Sequence, residues 1–563
     1  MKISFLRIRK FIDDVRWPLV VDLTVVAACS LYLAYWVFDG LLTQGVYCDI
    51  GFLGRYALGV YGKLEMGGEE FIQWMGRSFP MALKPQHGPN EIYLTLPWIY
   101  AFGPSAIALH LSSMFWAVLT VPLLYFVAYR LYHHRLPAVV TSVLFVSSTS
   151  HIAAIRVGGY TGSMLLFWEL SALAAFMQWT RSEKSRWFVV GSLCLGVGSG
   201  SRCFFWWFVT ALLMVGLCTE YKRLRGPGIN IRVLFVALAA FAAGMAPVIV
   251  SNIMHGFYTV KFFMSRVIYS QGLDHVVNLN YGINLSKRLG QLKAIIVGTA
   301  WNTETMPNGI ALYLFVIGLV LVGGFLLLEI VRKKRADKAL LFPVLLIVVV
   351  LAQSPFTPTN LDPHHLLILF PWVCLTIAAV LVVPFPTIMR RVLAGVWIIL
   401  IVAAAWNGHG RFVRERAMDY IYGGWDVRWN TMGDVAEWCQ KREIRKIGLG
   451  DTGLMDTFVY LTGGRVSTEE VFMAGYRDAS LDEQSEDFLR YLRQNPSGYY
   501  LFRGKDQSPW VPFLNEFKRV ALEEKYRVRR AAMFVNPDGL SAYEIYQTEP
   551  QRTRDTGTSP GGR

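Results

Sequence analysis

The stretch "ALYLFVIGLVLVGGFLLLEI", residues 311–330, meets no charge until Glu329. Wound as a helix it is about 30 Å long, the thickness of a bilayer's hydrocarbon core. Inside a bilayer the backbone polar groups must be satisfied within helices or closed barrels. Runs of this kind recur at 19–39, 105–128, 136–152, 161–178, 187–200, 203–218, 233–251, 308–331, 339–353, 366–383 and 391–406. The pattern predicts a mainly α, polytopic membrane protein with about eleven transmembrane helices. Within 187–218, "GVGSGSRC" breaks an apolar stretch too long for one span, so two short helices are expected with Arg202 at the turn. The composition agrees: 54% of residues are hydrophobic, 17% are charged and the mean hydropathy is +0.37, too apolar for a soluble chain.

The basic residues set an orientation. "RIRKFIDDVR", "YRLYHHR", "TRSEKSR", "EYKRLRGPGINIR", "VRKKRADK" and "MRR" fall on every second side of the bundle. By the positive-inside rule these loops and the N-terminus are cytoplasmic. The net charge of +15 is thereby used in topology, and no nucleic-acid partner is expected. No cleavable leader is expected, because residues 1–18 are basic but too polar. The seven cysteines have neither metal nor redox spacing.

The domain reading is 1–406 as the membrane module, 407–548 as a small extracytoplasmic α/β domain and 549–563 as a disordered tail. In the second part "RKIGLGD", "TFVYLTGG", "GYYLFRG" and "AYEIYQ" read as strands, and "TMGDVAEWCQKR" and "SEDFLRYLRQ" as helices. In the loop 252–307, "HGFYTVKFFMSRVIYSQGLDH" and "INLSKRLGQLKAIIVG" have mixed basic and apolar faces, which suits helices at a membrane surface.

The unusual polar residues collect on the side opposite the basic loops. Asp49, in "GVYCDIGF", is a carboxylate in an apolar setting at the mouth of the first span, where desolvation would make it a better base. Its ordinary reading is an interfacial ion pair with Arg55. Lys84, His87, Glu91 and Tyr160 are candidate substrate contacts. Arg156 and Arg202 stand in short loops against the positive-inside bias, and arginine's planar fork suits phosphate. The ordinary reading of each is contact with a lipid headgroup. His364 and His365 sit just before a span. Adjacent histidines on a helix diverge, so hydrogen bonding to a phosphate or sugar is favoured over joint metal ligation. Glu169, buried in the fourth span, is a candidate for holding the bundle together. No set of metal ligands is evident; a divalent metal is possible but not expected, and no other cofactor is implied. A carboxylate, two arginines and several histidines beside apolar surface suit a lipid-linked phosphate substrate.

At these residues the sequence resembles a family. "GVYCDIGFLGRYA" looks like the first loop of the GT-C glycosyltransferases, and more narrowly that of protein O-mannosyltransferases and lipid A aminoarabinose transferases. "HGPNEIYLTLPWIYAFGPSAIALHLSSMFWAVLTVPLLYFVAYRL" and "DPHHLLILFPW" are similar to two later stretches of that group, and the likeness covers about 20–380. The resemblance implies a GT-C-like module in the inner (plasma) membrane. It implies inverting transfer of a sugar from a polyprenyl-phosphate donor to a lipid, glycan or protein acceptor, with Asp49 as base. The chain departs from the pattern at Ile50, Gly88 and His110, where the family has an acid, a proline and commonly an arginine. Two other classes stay open: a transporter or flippase of a lipid-linked sugar, and a non-catalytic scaffold for the C-terminal domain.

Overall fold

The computed structural model describes the chain apart from residues 1–16, 40–44, 47, 69–70, 84–86, 157–161, 225–229, 258, 262–279, 301–306, 334–335, 357–362, 416–420, 423–424, 427–429, 452, 473–480, 505–510, 538 and 552–563. Contacts divide it into two units. One comprises 1–41, 66–98 and 109–419; the other comprises 42–65, 99–108 and 420–563. Two short segments near the N-terminus thus group with the C-terminal part, beyond the continuous domain expected from the sequence.

The first unit is a helix bundle. Among the described residues six helices are long and apolar enough to cross a membrane: Val20–Phe38, Ala106–Tyr132, Gly309–Arg332, Lys338–Phe356, Pro363–Val382 and Thr387–Arg411. Two bent pairs raise the count to as many as eight: Arg135–Val146 with Thr149–Arg156, bent by 54°, and Ile231–Gly244 with Ala246–Met254, bent by 76°. The expected count of eleven is therefore not confirmed among the described residues, for physical reasons. The break at "GVGSGSRC" is where the sequence placed it, between helices Ser185–Ser199 and Phe205–Leu224. The first of these has only 15 residues, which rise about 22 Å and fall short of the hydrocarbon thickness. Helix Met164–Ser182 is long enough, but Glu169, Gln178 and Arg181 lower its hydropathy.

Burial sorts the spans. The Pro363–Val382 segment is 89% buried, whereas Val20–Phe38 and Thr387–Arg411 are each 17% buried. The former is the centre of the bundle, and the latter two present apolar side chains such as Leu31, Ile399 and Val402 outward. Exposed apolar surface of this extent fits a lipid environment. Helices Ser185–Ser199 and Ile231–Gly244 pack backbone to backbone. A Cβ on Gly196 would overlap the Phe241 carbonyl, and one on Gly244 would sit 2.5 Å from the Val197 nitrogen.

The second unit contains a five-stranded sheet ordered Ser467–Glu470, Lys446–Leu449, Tyr499–Arg503, Ser541–Pro550, Tyr526–Val535. The first three strands are parallel and the last two pair antiparallel. Strand side chains alternate between two cores. Leu449, Leu501 and Ile545 join Val435, Cys439 and Phe458. Tyr500, Phe502 and Tyr546 join Phe488, Leu492 and Phe517. The strands and helices read from the sequence are present with one correction. "TFVYLTGG" is not a strand but forms most of the helix Met455–Leu461. Its Val, Phe and Tyr residues favour strands locally. Parallel strands, however, need a crossover between them, usually a helix. Gly463 and Gly464, with φ of 63° and 73°, end that crossover. Glu549 and Pro550, expected in the tail, complete the last strand. Residues 552–563 lie outside the described part.

"INLSKRLGQLKAIIVG" forms helix Tyr281–Val297, started by Asn280, whose side chain accepts from the Ile283 amide. The other expected surface segment lies mostly outside the described residues.

Gly196→Ala is expected to lower the melting temperature of the purified protein, because a methyl forced against the Phe241 carbonyl overpacks the helix pair by about 1–3 kcal/mol. Gly323→Ala, which meets nothing within 4 Å, should leave the melting temperature unchanged or raise it. Equal melting temperatures for parent and Gly196→Ala would refute the close packing.

Candidate functional site

The segment His87–Glu91 docks on the glycine-rich break. Gly88 donates its amide to the Ser201 carbonyl at 2.9 Å, and His87 bridges Arg202 in antiparallel fashion. A Cβ at Gly88 would overlap the Gly200 carbonyl. That overlap accounts for the glycine at this position. Asn90 opens helix Asn90–Phe102 and sends its side-chain amide to the carbonyls of Val197, at 3.0 Å, and Gly244, at 2.8 Å.

This backbone knot seats a buried ion pair. Arg202 Nε donates to both Glu91 carboxylate oxygens at 3.0 Å, and Nη2 lies 2.8 Å from Oε2. Arg202 Nη1 lies 2.8 Å from His87 Nε2. Nη1 also lies 3.0 Å from Nδ1 of the same ring; arginine only donates, so the ring nitrogen that accepts is an unprotonated one. Glu91 is 1% exposed and Arg202 8%. Glu91, Arg202 and His87, read separately from the sequence as substrate and phosphate contacts, are thus partners of one another.

Arg156 ends helix Thr149–Arg156. Its Nη1 donates to the carbonyls of Trp36, at 2.9 Å, and Asp39, at 2.7 Å. These lie at the C-terminal end of helix Trp17–Phe38, where carbonyls lack helical partners and a cation is favoured.

His364 and His365 fall in the 3₁₀ segment Pro363–Leu369. Their rings lie 4.0 Å apart at 31°, and His365 meets Phe204 edge-on at 4.9 Å. The two rings form one stack rather than facing apart as an α-helical reading suggested. Backbone directions diverge in a 3₁₀ turn, but side-chain rotation brings the rings together. Among the described residues no three His, Cys, Asp or Glu side chains gather as metal ligands.

Asp49 is the second residue of helix Cys48–Tyr61. Its side chain, like Lys84 and Tyr160 as whole residues, lies outside the described part. Arg55, six positions on, pairs at 2.8 Å with Asp456. Nearby, burial holds the Glu470 carboxyl above its usual range, opposed by the Gly453 amide it accepts from and by the Arg55 charge.

Other buried polar groups lie elsewhere in the bundle. Glu169, fully buried, accepts from the indole of Trp372 and ties the Met164–Ser182 helix to the central segment. Arg288 is 4% exposed, on the same face as Asn284, Leu292 and Ile295. It donates to Gln291 at 3.0 Å and lies 5.9 Å from the Trp207 ring centre. Sequence reasoning saw a surface helix there. The i, i+4 spacing of Asn284, Arg288 and Leu292 was the available signal for a buried polar face.

Residues 81–283 match the model of the dolichyl-phosphate-mannose-protein mannosyltransferase family. No curated protein matches the chain. Among solved structures, ArnT from Cupriavidus metallidurans bound to undecaprenyl phosphate is similar, with a TM-score of 0.56 at 11% identity over 94% of this chain and 98% of that one. Its apo form gives a TM-score of 0.57 at 11% identity over 93% and 97%. AglB from Archaeoglobus fulgidus, in complex with an inhibitory peptide and a dolichol-phosphate, gives 0.54 at 11% identity over 94% of this chain and 74% of that one. The chain thus has the fold of the GT-C glycosyltransferases and resembles the protein O-mannosyltransferase and ArnT group within them.

Proposed function

We propose that this protein is an integral-membrane glycosyltransferase that moves a sugar from a polyprenyl-phosphate donor to an acceptor hydroxyl on a lipid, glycan or protein. The observation that carries this reading is the family match over 81–283, the part of the chain that builds the Glu91–Arg202 knot. Lipid phosphates in the complexes of ArnT and AglB support the donor class. The alternation of Lys/Arg-rich loops supports a cytoplasmic N-terminus and an extracytoplasmic C-terminal domain.

The proposed reaction inverts the anomeric centre. The acceptor oxygen attacks the anomeric carbon, the carbon–oxygen bond to phosphate breaks, and Asp49 takes the acceptor's proton. The leaving group is polyprenyl phosphate, whose growing negative charge the His364–His365 stack is proposed to meet, as preorganised donors do at developing oxyanions. Arg202 is proposed to act mainly through Glu91 and His87, which already take three of its nitrogens. Arg156 is proposed to act mainly at the end of the first helix.

Asp49→Asn should retain donor binding and lose on the order of 10²–10⁴ in single-turnover rate, as the loss of a general base does. Turnover within a few-fold of the parent would remove Asp49 as the base. Glu91→Ala leaves the Arg202 charge buried without its carboxylate, which costs about 3–5 kcal/mol. A large fall in melting temperature, with near-parental donor affinity in the folded fraction, is expected for this variant and for Arg202→Ala. An affinity loss above tenfold at an unchanged melting temperature would make Arg202 a phosphate ligand instead.

A further inference from the structure

The first-loop motif "GVYCDIGFLGRYA" contains more than its aspartate. Helix Cys48–Tyr61 lies in the same unit as the α/β domain and packs on that domain's helix Met455–Leu461. Two glycines, one turn apart, set the contact. A Cβ on Gly51 would be 2.7 Å from the Thr457 Cα, and one on Gly54 would be 2.6 Å from the Tyr460 ring. The first obstacle is backbone and the second a wholly buried ring, so neither yields easily. Arg55, next to Gly54, pairs with Asp456 at 2.8 Å. The two side chains are 26% and 25% exposed, so solvent only partly screens the pair.

Further bonds hold the ends. Thr457 Oγ1 donates to the Val46 carbonyl at 3.4 Å, just before the helix. The Tyr460 hydroxyl lies 3.0 Å from both the amide and the carbonyl of Ser105, accepting from one and donating to the other. Tyr61 meets Tyr100 edge-on at 4.9 Å. A helix 14 residues long is marginal alone in water. Its register is therefore set by what it packs on.

We propose that the C-terminal α/β domain is the positioning element of the reaction: through Gly51, Gly54 and the Arg55–Asp456 pair it fixes the helix whose first turn carries Asp49. This rests on Asp49 being the base, as proposed above. Arg55 and Asp456 are positioning residues and touch no reacting atom. An error of about 1 Å in a reacting group can cost on the order of 10²-fold in rate, so loosening this helix should lower turnover without touching donor binding.

The test uses the full-length purified protein and three readouts: single-turnover rate, donor affinity and backbone amide exchange across 48–61. Arg55→Gln and Gly54→Ala should each speed exchange in 48–61 and slow turnover by about tenfold or more, with donor affinity unchanged. Arg55→Lys, which keeps the charge, should recover most of the rate. The exchanged pair Arg55→Asp with Asp456→Arg should restore both exchange and rate. Should Gly54→Ala fail to fold, the Arg55 series alone decides. Parental turnover in Arg55→Gln despite faster exchange, or exchange unchanged in Arg55→Gln, overturns the positioning role. So does a rate loss that neither Arg55→Lys nor the exchanged pair restores. Failure of the underlying reading looks different: there Asp49→Asn itself turns over normally.

Discussion

A carboxylate and a guanidinium held away from water, Glu91 and Arg202, are the constraint around which the bundle is organised. Taking two charges out of water costs several kcal/mol per ion even after relaxation. The cost is met only when the geometry is good and the remaining donors are satisfied. Both conditions hold here. Two guanidinium nitrogens address the carboxylate and a third meets His87. Such an arrangement requires the 87–91 backbone to lie almost on that of 196–202. Gly88 and Gly200 are the positions where a side chain would prevent it, and Gly196 and Gly244 keep the neighbouring helix pair equally close. Asn90 then closes the knot by bonding carbonyls from two helices at once.

The legibility of the sequence follows from the range of each force. The long apolar runs report their environment residue by residue, so the membrane class and most helices could be read directly. The break at "GVGSGSRC" was equally plain, because glycine and arginine in an apolar run act locally. Partnership was not legible. Nothing in the spacing links Glu91 to Arg202, 111 positions apart, or Arg55 to Asp456. The span count was hardest to read where hydrophobicity was continuous but length was not, as in Ser185–Ser199. The strand reading of "TFVYLTGG" failed because the demand for a crossover between parallel strands overrides local preference. Within the candidate site, Arg156 was visible as an exception to charge bias. Its use as a helix-end cap needed the Trp36 and Asp39 carbonyls, which no pattern predicts.

Two ways of managing charge appear in the molecule. In the bundle, Glu91 and Arg202 are sealed into a short-range pair and Arg156 is aimed at a helix end. In the α/β unit the pairs are half-open to solvent, as at Arg55–Asp456, and direct packing does most of the work. The two cores on either face of the sheet, each lined by alternate residues of the same strands, make that unit a stiff support. Helix Cys48–Tyr61 packs on this unit although it precedes the strands by more than half the chain.

Arg55 and Asp456 are separated by 401 residues. At about 5–20 residues per second, the ribosome takes roughly 20–80 s to cover such a distance. Through that interval the Gly51–Gly54 face exists without its complement, while much of the bundle is already made. Native pairing of 48–61 is therefore a late event, with the slow kinetics of contacts distant in sequence. A truncated product that ends before residue 455 would contain Asp49 and every residue of the Glu91–Arg202 knot, and still lack the surface on which the aspartate's helix is built.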